Sequence, residues 1–127
     1  MTSLEEARLC VRALTKIKGQ NIRLIKIKDI SSIADYFVVA SGSSKTQVKA
    51  LADEVESRLD DAGVGVSHIE GYRSDTWILL DYVDVVVHVF SDEARDYYDL
   101  ERLWQDGEEI DISDILNMPM SELFPSK

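Results

Sequence analysis

Apolar residues recur at intervals of three and four through Leu4, Ala7, Val11, Leu14 and Ile17, with Cys10 at the edge of the stripe. This spacing predicts an amphipathic helix over about residues 3–18. Ser3 is placed to cap it, Glu5 and Glu6 lie where the helix dipole favours acids, and Gly19 stops it. Alternation follows: Arg23, Ile25 and Ile27 point one way, Leu24, Lys26 and Lys28 the other, which predicts a strand over residues 22–28. After a connector at 29–35, the unbroken apolar run Tyr36-Phe37-Val38-Val39-Ala40 predicts a strand buried on both faces. Ser41-Gly42-Ser43-Ser44 ends it.

A second helical stripe runs through Val48, Leu51, Ala52, Val55, Leu59 and Ala62, with a Ser44/Gln47 capping pattern before it and Gly63 after it. A short strand is expected near 66–70 and a polar loop at 71–75. Strands at 76–80 and 83–90 then meet at a tight Asp81-Tyr82 corner. The last helix starts near Asp92 and is expected to reach Trp104, with mixed positions at 98–101 where it can break. The remainder, 105–127, is rich in acids and reads as a loosely docked tail. The order α-β-β-α-β-β-β-α predicts an α/β fold, a mixed β-sheet flanked by helices. The 36–40 strand, the second helix and the 66–70 strand form a candidate right-handed crossover, and the other strand links suit antiparallel pairing.

Composition narrows the function classes. The chain has 127 residues, enough for one domain, and 24 acids against 14 Lys and Arg give a net charge of -10. Such a surface repels phosphate backbones, so little direct nucleic-acid contact is expected. The single cysteine excludes an internal disulfide and a multi-cysteine zinc site, and a reducing compartment follows. No membrane span is expected, because Asp84 and His88 interrupt the longest apolar stretch. The first residues have neither the apolar core of a secretory signal nor the composition of a transit peptide, and the expected location is cytoplasmic.

Catalytic constellations are weak. Ser41-Gly42-Ser43-Ser44 leads from a strand to a helix N-terminus but lacks both glycine-rich phosphate fingerprints, so a turn with an N-cap accounts for it. Asp81 and Asp84, three apart, face opposite sides of an extended strand, while Glu109 and Asp111 fall in the acidic tail. Cys10 reads as a small buried hydrophobe. His68 and His88 belong to no catalytic motif, and His88 alternates with Val87 and Val89. No cofactor or metal site is expected.

The aromatics carry more. Trp77 opens a strand, and Tyr97, Tyr98 and Trp104 crowd the last helix beside Leu100 and Leu103. Either these rings pack the core, or they form a protein-binding surface of the kind that Trp and Tyr dominate. Ile78 and Leu80 already supply an inward face, whereas Leu79 shares the side of Trp77. Asp75, Asp81, Asp96, Asp99 and Glu101 are placed to rim such a surface and select a basic partner.

The stretch Asp29-Ile30-Ser31-Ser32-Ile33-Ala34-Asp35-Tyr36-Phe37-Val38-Val39-Ala40-Ser41-Gly42-Ser43-Ser44 resembles the signature of the Iojap (RsfS) family of ribosomal silencing factors. Glu70-Gly71, the run from Trp77-Ile78-Leu79-Leu80-Asp81-Tyr82 through His88-Val89-Phe90, and Arg95 to Trp104 match in order. The resemblance covers about residues 3–112, which suggests a family-like domain at 1–112 and a C-terminal tail at 113–127.

The resemblance implies a nucleotidyltransferase-like fold without transferase activity. It implies binding to the large ribosomal subunit through its basic protein numbered fourteen, which sterically blocks subunit joining and represses translation when nutrients fall. A link to late assembly of the large subunit and self-association as a homodimer are implied as well. Carried onto this chain, the partner-binding positions are Trp77, Asp81, Tyr82, His88, Tyr98 and Leu100. The competing readings are a nucleotide-binding or nucleotidyl-transferring enzyme on a related fold, and a dimer module whose aromatics serve only self-association.

Overall fold

The computed structural model describes residues 1–74 and 76–124. Helix α1 (Ser3–Lys16) is capped by Thr2 rather than by Ser3, because the Thr2 hydroxyl accepts the Glu5 N–H while the Glu5 carboxylate accepts the Thr2 N–H. Strands β1 (Gln20–Lys26) and β2 (Tyr36–Gly42) pair antiparallel. Strand β2 is buried along its whole length and runs on through Ser41 and Gly42, past the expected stop. Gly42 is needed there: a Cβ would lie 2.9 Å from the Val48 side chain.

Helix α2 (Lys45–Asp61) is capped by Ser44, whose hydroxyl accepts the Gln47 N–H at 3.1 Å. The Gln47 amide does more than close a box. Its oxygen accepts the Ser43 N–H, and its nitrogen donates to the carbonyls of Ile17 and Lys18, which ties the end of α1 to the start of α2.

Strands β3 (His68–Glu70), β4 (Trp77–Asp81) and β5 (Val85–Ser91) form an antiparallel meander. The full sheet order is β3-β4-β5-β2-β1-β6, with β2 and β5 parallel. The strand after α2 therefore runs parallel to β2 but lies at the sheet edge, with β4 and β5 between them. Short, largely exposed β3 suits an edge, whereas β5, buried from Val85 to Phe90, fills the place beside β2.

Helix α3 (Asp92–Tyr98) follows β5 without a linker, capped by Ser91. The helix expected to reach Trp104 breaks at Asp99, which adopts φ 46°, and a 3-10 helix (Leu100–Trp104) follows.

Among the described residues, 105–124, the expected loosely docked tail is not found. Strand β6 (Glu108–Ile110) adds to β1, and helices α4 (Ser113–Leu116) and α5 (Met120–Leu123) bury Ile115 and Leu123 completely. The Arg12 side chain donates to the Leu123 carbonyl, and the Arg58 guanidinium lies 3.8 Å from the centre of the Phe124 ring. Acid-rich composition masked the apolar positions Ile110, Ile112, Ile115 and Leu123, which close the core below α1.

Helices α1 and α2 cover one face of the sheet. Leu14, Leu51, Val55 and Leu59 pack there against Leu24, Val38, Ile78 and Val87. Each such side chain contributes about 1.5–3 kcal/mol through burial. Among the described residues no helix is long and apolar enough to cross a membrane.

Candidate protein-binding face

The opposite face of the sheet is built by the other half of the alternation. In β4, Trp77, Leu79 and Asp81 point away from α1 and α2, and in β5 so do Val86, His88 and Phe90. Register pairs Trp77 with Phe90 and Leu79 with His88. The Trp77 and Phe90 rings stack with centroids 4.9 Å apart, and Tyr98 from α3 stands 4.9 Å from Trp77 on another side. Phe37 lies between His88 at 4.6 Å and Trp104 at 5.1 Å. Leu100 packs on Phe37, Phe90 and their neighbours.

The Trp77 ring is stacked in a cluster and half-buried, with the rest in solvent. Tyr97 and Tyr98 beside it are 82% and 51% exposed. A groove of about 240 Å³ runs along Trp77 and Leu79, lipped by Glu70 and Gly71. Gly71 has φ +72°, and a Cβ there would lie 2.3 Å from the Trp77 carbonyl oxygen, so the loop can lie this close to the tryptophan only as glycine.

His88 is 3% exposed. The Trp77 indole N–H donates to its Nδ1 at 3.0 Å, while Nε2 is buried without a partner among the described residues. Burial lowers its pKa from 6.5 to about 4, so the ring is neutral at physiological pH.

Of the six partner-binding positions carried over from the resemblance, the structure gathers Trp77, Asp81, His88, Tyr98 and Leu100 on this side. Tyr82 is separated from them. It is 5% exposed in the core beneath α1 and α2, and its buried hydroxyl is held well above its ordinary pKa by desolvation. The reason is local. Tyr82 continues the inward alternation of Ile78 and Leu80, and the turn comes after it, where Val83 adopts φ 74° and the Asp84 N–H donates back to the Tyr82 carbonyl. The Asp81 carboxylate accepts the Val83 N–H at 2.7 Å and braces the same turn.

One feature escaped the sequence reading. Arg95, 9% exposed on α3, donates to the Ser41 hydroxyl at 2.9 Å and to the Glu101 carboxylate at 2.8 and 3.2 Å. Arg23 also reaches Glu101, and it bonds Glu109. Arg95 chiefly, with Arg23, holds the Glu101 carboxyl below the usual carboxylate range. This chain of charges fixes the 3-10 helix against β1, and it borders a cleft of about 650 Å³ that also carries Asp92, Asp96 and Asp99. An arginine where a helix should present an apolar residue to the sheet was the available signal.

Glu109 is thus spent on Arg23, and Asp111 accepts the Ser113 N–H. Cys10 is fully buried, and desolvation pushes its thiol pKa up. Among the described residues no three His, Cys, Asp or Glu side chains stand close enough to hold a metal ion.

Together these features define a small mixed α/β domain with one helix-covered face and one aromatic face; of the acids expected to rim it, Asp75 lies outside the described residues, and Asp96, Asp99 and Glu101 line the neighbouring cleft. The family model described as "Ribosomal silencing factor during starvation" (RsfS) matches residues 1–124, and the chain belongs to that family. A ribosomal silencing factor of Halalkalibacterium halodurans is 36% identical over 117 residues, spanning 92% of this chain and all of the relative. The mouse "mitochondrial assembly of ribosomal large subunit protein 1" is 28% identical over 99 residues, 76% of this chain and 43% of that protein. A crystal structure of a Chromobacterium violaceum protein superposes with a TM-score of 0.81 at 37% identity, covering 97% of this chain and 98% of that one.

Proposed function

We propose that this chain is a ribosomal silencing factor. It docks on the large ribosomal subunit through the basic protein numbered fourteen, obstructs joining of the small subunit, and so represses translation when nutrients are short. The observation that carries this reading is the Trp77 face. A half-buried tryptophan stacks on Phe90 beside Tyr98, next to an open groove that Glu70 lips. Trp and Tyr at the centre of a patch are the usual hot spots of protein interfaces, and the acidic rim complements a basic protein while repelling RNA. Trp77, Asp81, Tyr98 and Leu100 make the contacts in this reading, and Tyr82 supports them from the core. The name of the mouse relative supports the choice of the large subunit and a link to its assembly.

The protein works in this reading without catalysis, on a nucleotidyltransferase-like fold, in the cytosol. The unpaired, buried Cys10 suits a reducing compartment. Nucleotide turnover that copurifies with the chain and vanishes in Asp81→Asn overturns the non-catalytic reading. Self-association as a homodimer is part of the proposal and is read by sedimentation equilibrium.

The decisive experiment is sedimentation with separated ribosomal subunits. The chain is expected to pellet with large subunits and to be released by rising salt, since the screening length is about 8 Å at physiological ionic strength. Trp77→Ala is expected to weaken that association about thirtyfold. Pelleting only with small subunits refutes the reading.

A further inference from the structure

We propose that His88 is the positioning residue of Trp77, a neutral imidazole held in one tautomer to fix the orientation of the indole. This rests on the reading that Trp77 contacts the partner. An indole N–H at a surface ordinarily bonds water. Here it turns inward and donates to His88 Nδ1 at 3.0 Å. Nδ1 therefore carries no proton, and the single proton of the neutral ring lies on Nε2. That second N–H is buried without a partner among the described residues, a standing cost that an apolar side chain of similar size would not incur. Apart from Trp77 itself, the rings beside it, Phe37 at 4.6 Å and Phe90 at 6.1 Å, require no imidazole between them. Core packing alone thus gives no reason for histidine at this position, whereas an acceptor for the indole does.

The consequence lies at the surface. Nε1 is the only polar atom of the Trp77 side chain, and with it turned inward the exposed part of the ring is hydrocarbon. A partner can cover that ring completely without stranding a donor, and the ring does not swing away when it does. The matching surface on the partner is accordingly an apolar or cationic one laid against the ring, not a hydrogen-bond acceptor aimed at the indole nitrogen.

The test begins on the unaltered, nitrogen-15-labelled chain. A through-hydrogen-bond coupling between Trp77 Nε1 and His88 Nδ1 is expected, with His88 nitrogen shifts of the Nε2–H tautomer; absence of the coupling overturns the inference. Binding to isolated large subunits is then measured for two variants. His88→Leu removes the acceptor and is expected to bind about tenfold more weakly. His88→Asn places a carbonyl oxygen near the position of Nδ1 and is expected to bind within about threefold of the original chain. In a Trp77→Ala background, His88→Leu is expected to cost nothing further, because its effect passes through the indole. A penalty that persists in that background, or full binding by His88→Leu where Trp77→Ala is weakened, overturns the inference. Full binding by Trp77→Ala itself refutes the docking reading instead. Should His88→Leu fail to fold, the coupling and the His88→Asn variant still decide.

Discussion

Acidification from pH 7 to pH 5 is expected to destabilise the fold by about 2 kcal/mol, and one imidazole accounts for most of it. Burial holds the pKa of His88 at about 4 in the folded chain, against an ordinary value of 6.5. Between those values the unfolded chain binds a proton at His88 and the folded chain does not. The stabilisation is therefore complete above 6.5, falls as pH drops toward 4, and falls no further below that. The slope inside the window approaches 1.4 kcal/mol per pH unit, about 2 kcal/mol between pH 7 and 5. For a chain of this size that lowers the melting temperature by roughly 6–10 °C. Protonation at Nδ1 also sets two N–H groups against each other across the Trp77 contact, so the indole and the imidazole part together. The assay is thermal unfolding by circular dichroism from pH 7 to 5, on this chain and on His88→Asn in parallel. Glu6, whose carboxyl is raised by burial, and Glu101, whose carboxyl is lowered by Arg95, are common to both chains and cancel in the difference. Equal slopes in the two proteins refute the reasoning, as does an imidazole that titrates near 6.5 in the folded chain.

Three further outcomes follow from particular contacts. Val83→Gly is expected to stabilise the fold by about 0.5–1 kcal/mol in denaturant unfolding, because a β-branched residue at φ 74° is strained and its side chain is 63% exposed. Leu123→Ala is expected to cost about 2–5 kcal/mol by the same measurement, since that side chain is fully buried, whereas a frayed tail would lose almost nothing. Glu101→Gln leaves the nearly buried Arg95 guanidinium without its carboxylate and is expected to cost about 2 kcal/mol, with the loss concentrated in hydrogen-exchange protection of the 3-10 helix.

Legibility in the sequence followed the period of the apolar pattern. The two long stripes through Val11 and Leu14, and through Leu51 and Val55, mark α1 and α2 because each spans several turns. The double-sided run of β2 and the alternation of Trp77 to Leu80 are equally direct. What failed lay in segments shorter than a period. Three-residue β6 and four-residue α4 and α5 hold one or two apolar side chains each among acids, too few to show a repeat. The break at Asp99 turns on a single left-handed residue. At the site, alternation places Trp77 and His88 on one side of adjacent strands, but their hydrogen bond depends on a register that only the assembled sheet sets. Tyr82 came with the family resemblance, whereas alternation sets it with Ile78 and Leu80 on the inward face, where the structure has it.

The contrast between the two faces follows from how β5 ends. Ser91 closes the strand and caps α3 in the same residue, so α3 is held over the Ser41 end of the sheet, where Arg95 fastens it to the Ser41 hydroxyl. A helix so placed, with only seven residues, covers Val39 and Phe90 but leaves Trp77 half-exposed and the groove beside Leu79 open. The aromatic rings then shield one another where no helix does, through the Trp77, Phe90 and Tyr98 stack. A patch of that kind is costly in water and invites unselective contact. The surplus of 24 acids over 14 bases restricts which surfaces can approach it, since an acidic or phosphate-lined one is repelled before the rings are reached. On the proposed reading the two features divide the work. The rings give the docked state its affinity, and the charge confines docking to a basic protein patch on a particle whose surface is otherwise mostly RNA. Neutralising rim acids such as Asp81 and Asp96 is then expected to slow association and blunt its salt dependence, while Trp77→Ala speeds dissociation, a division that stopped-flow binding to isolated large subunits resolves.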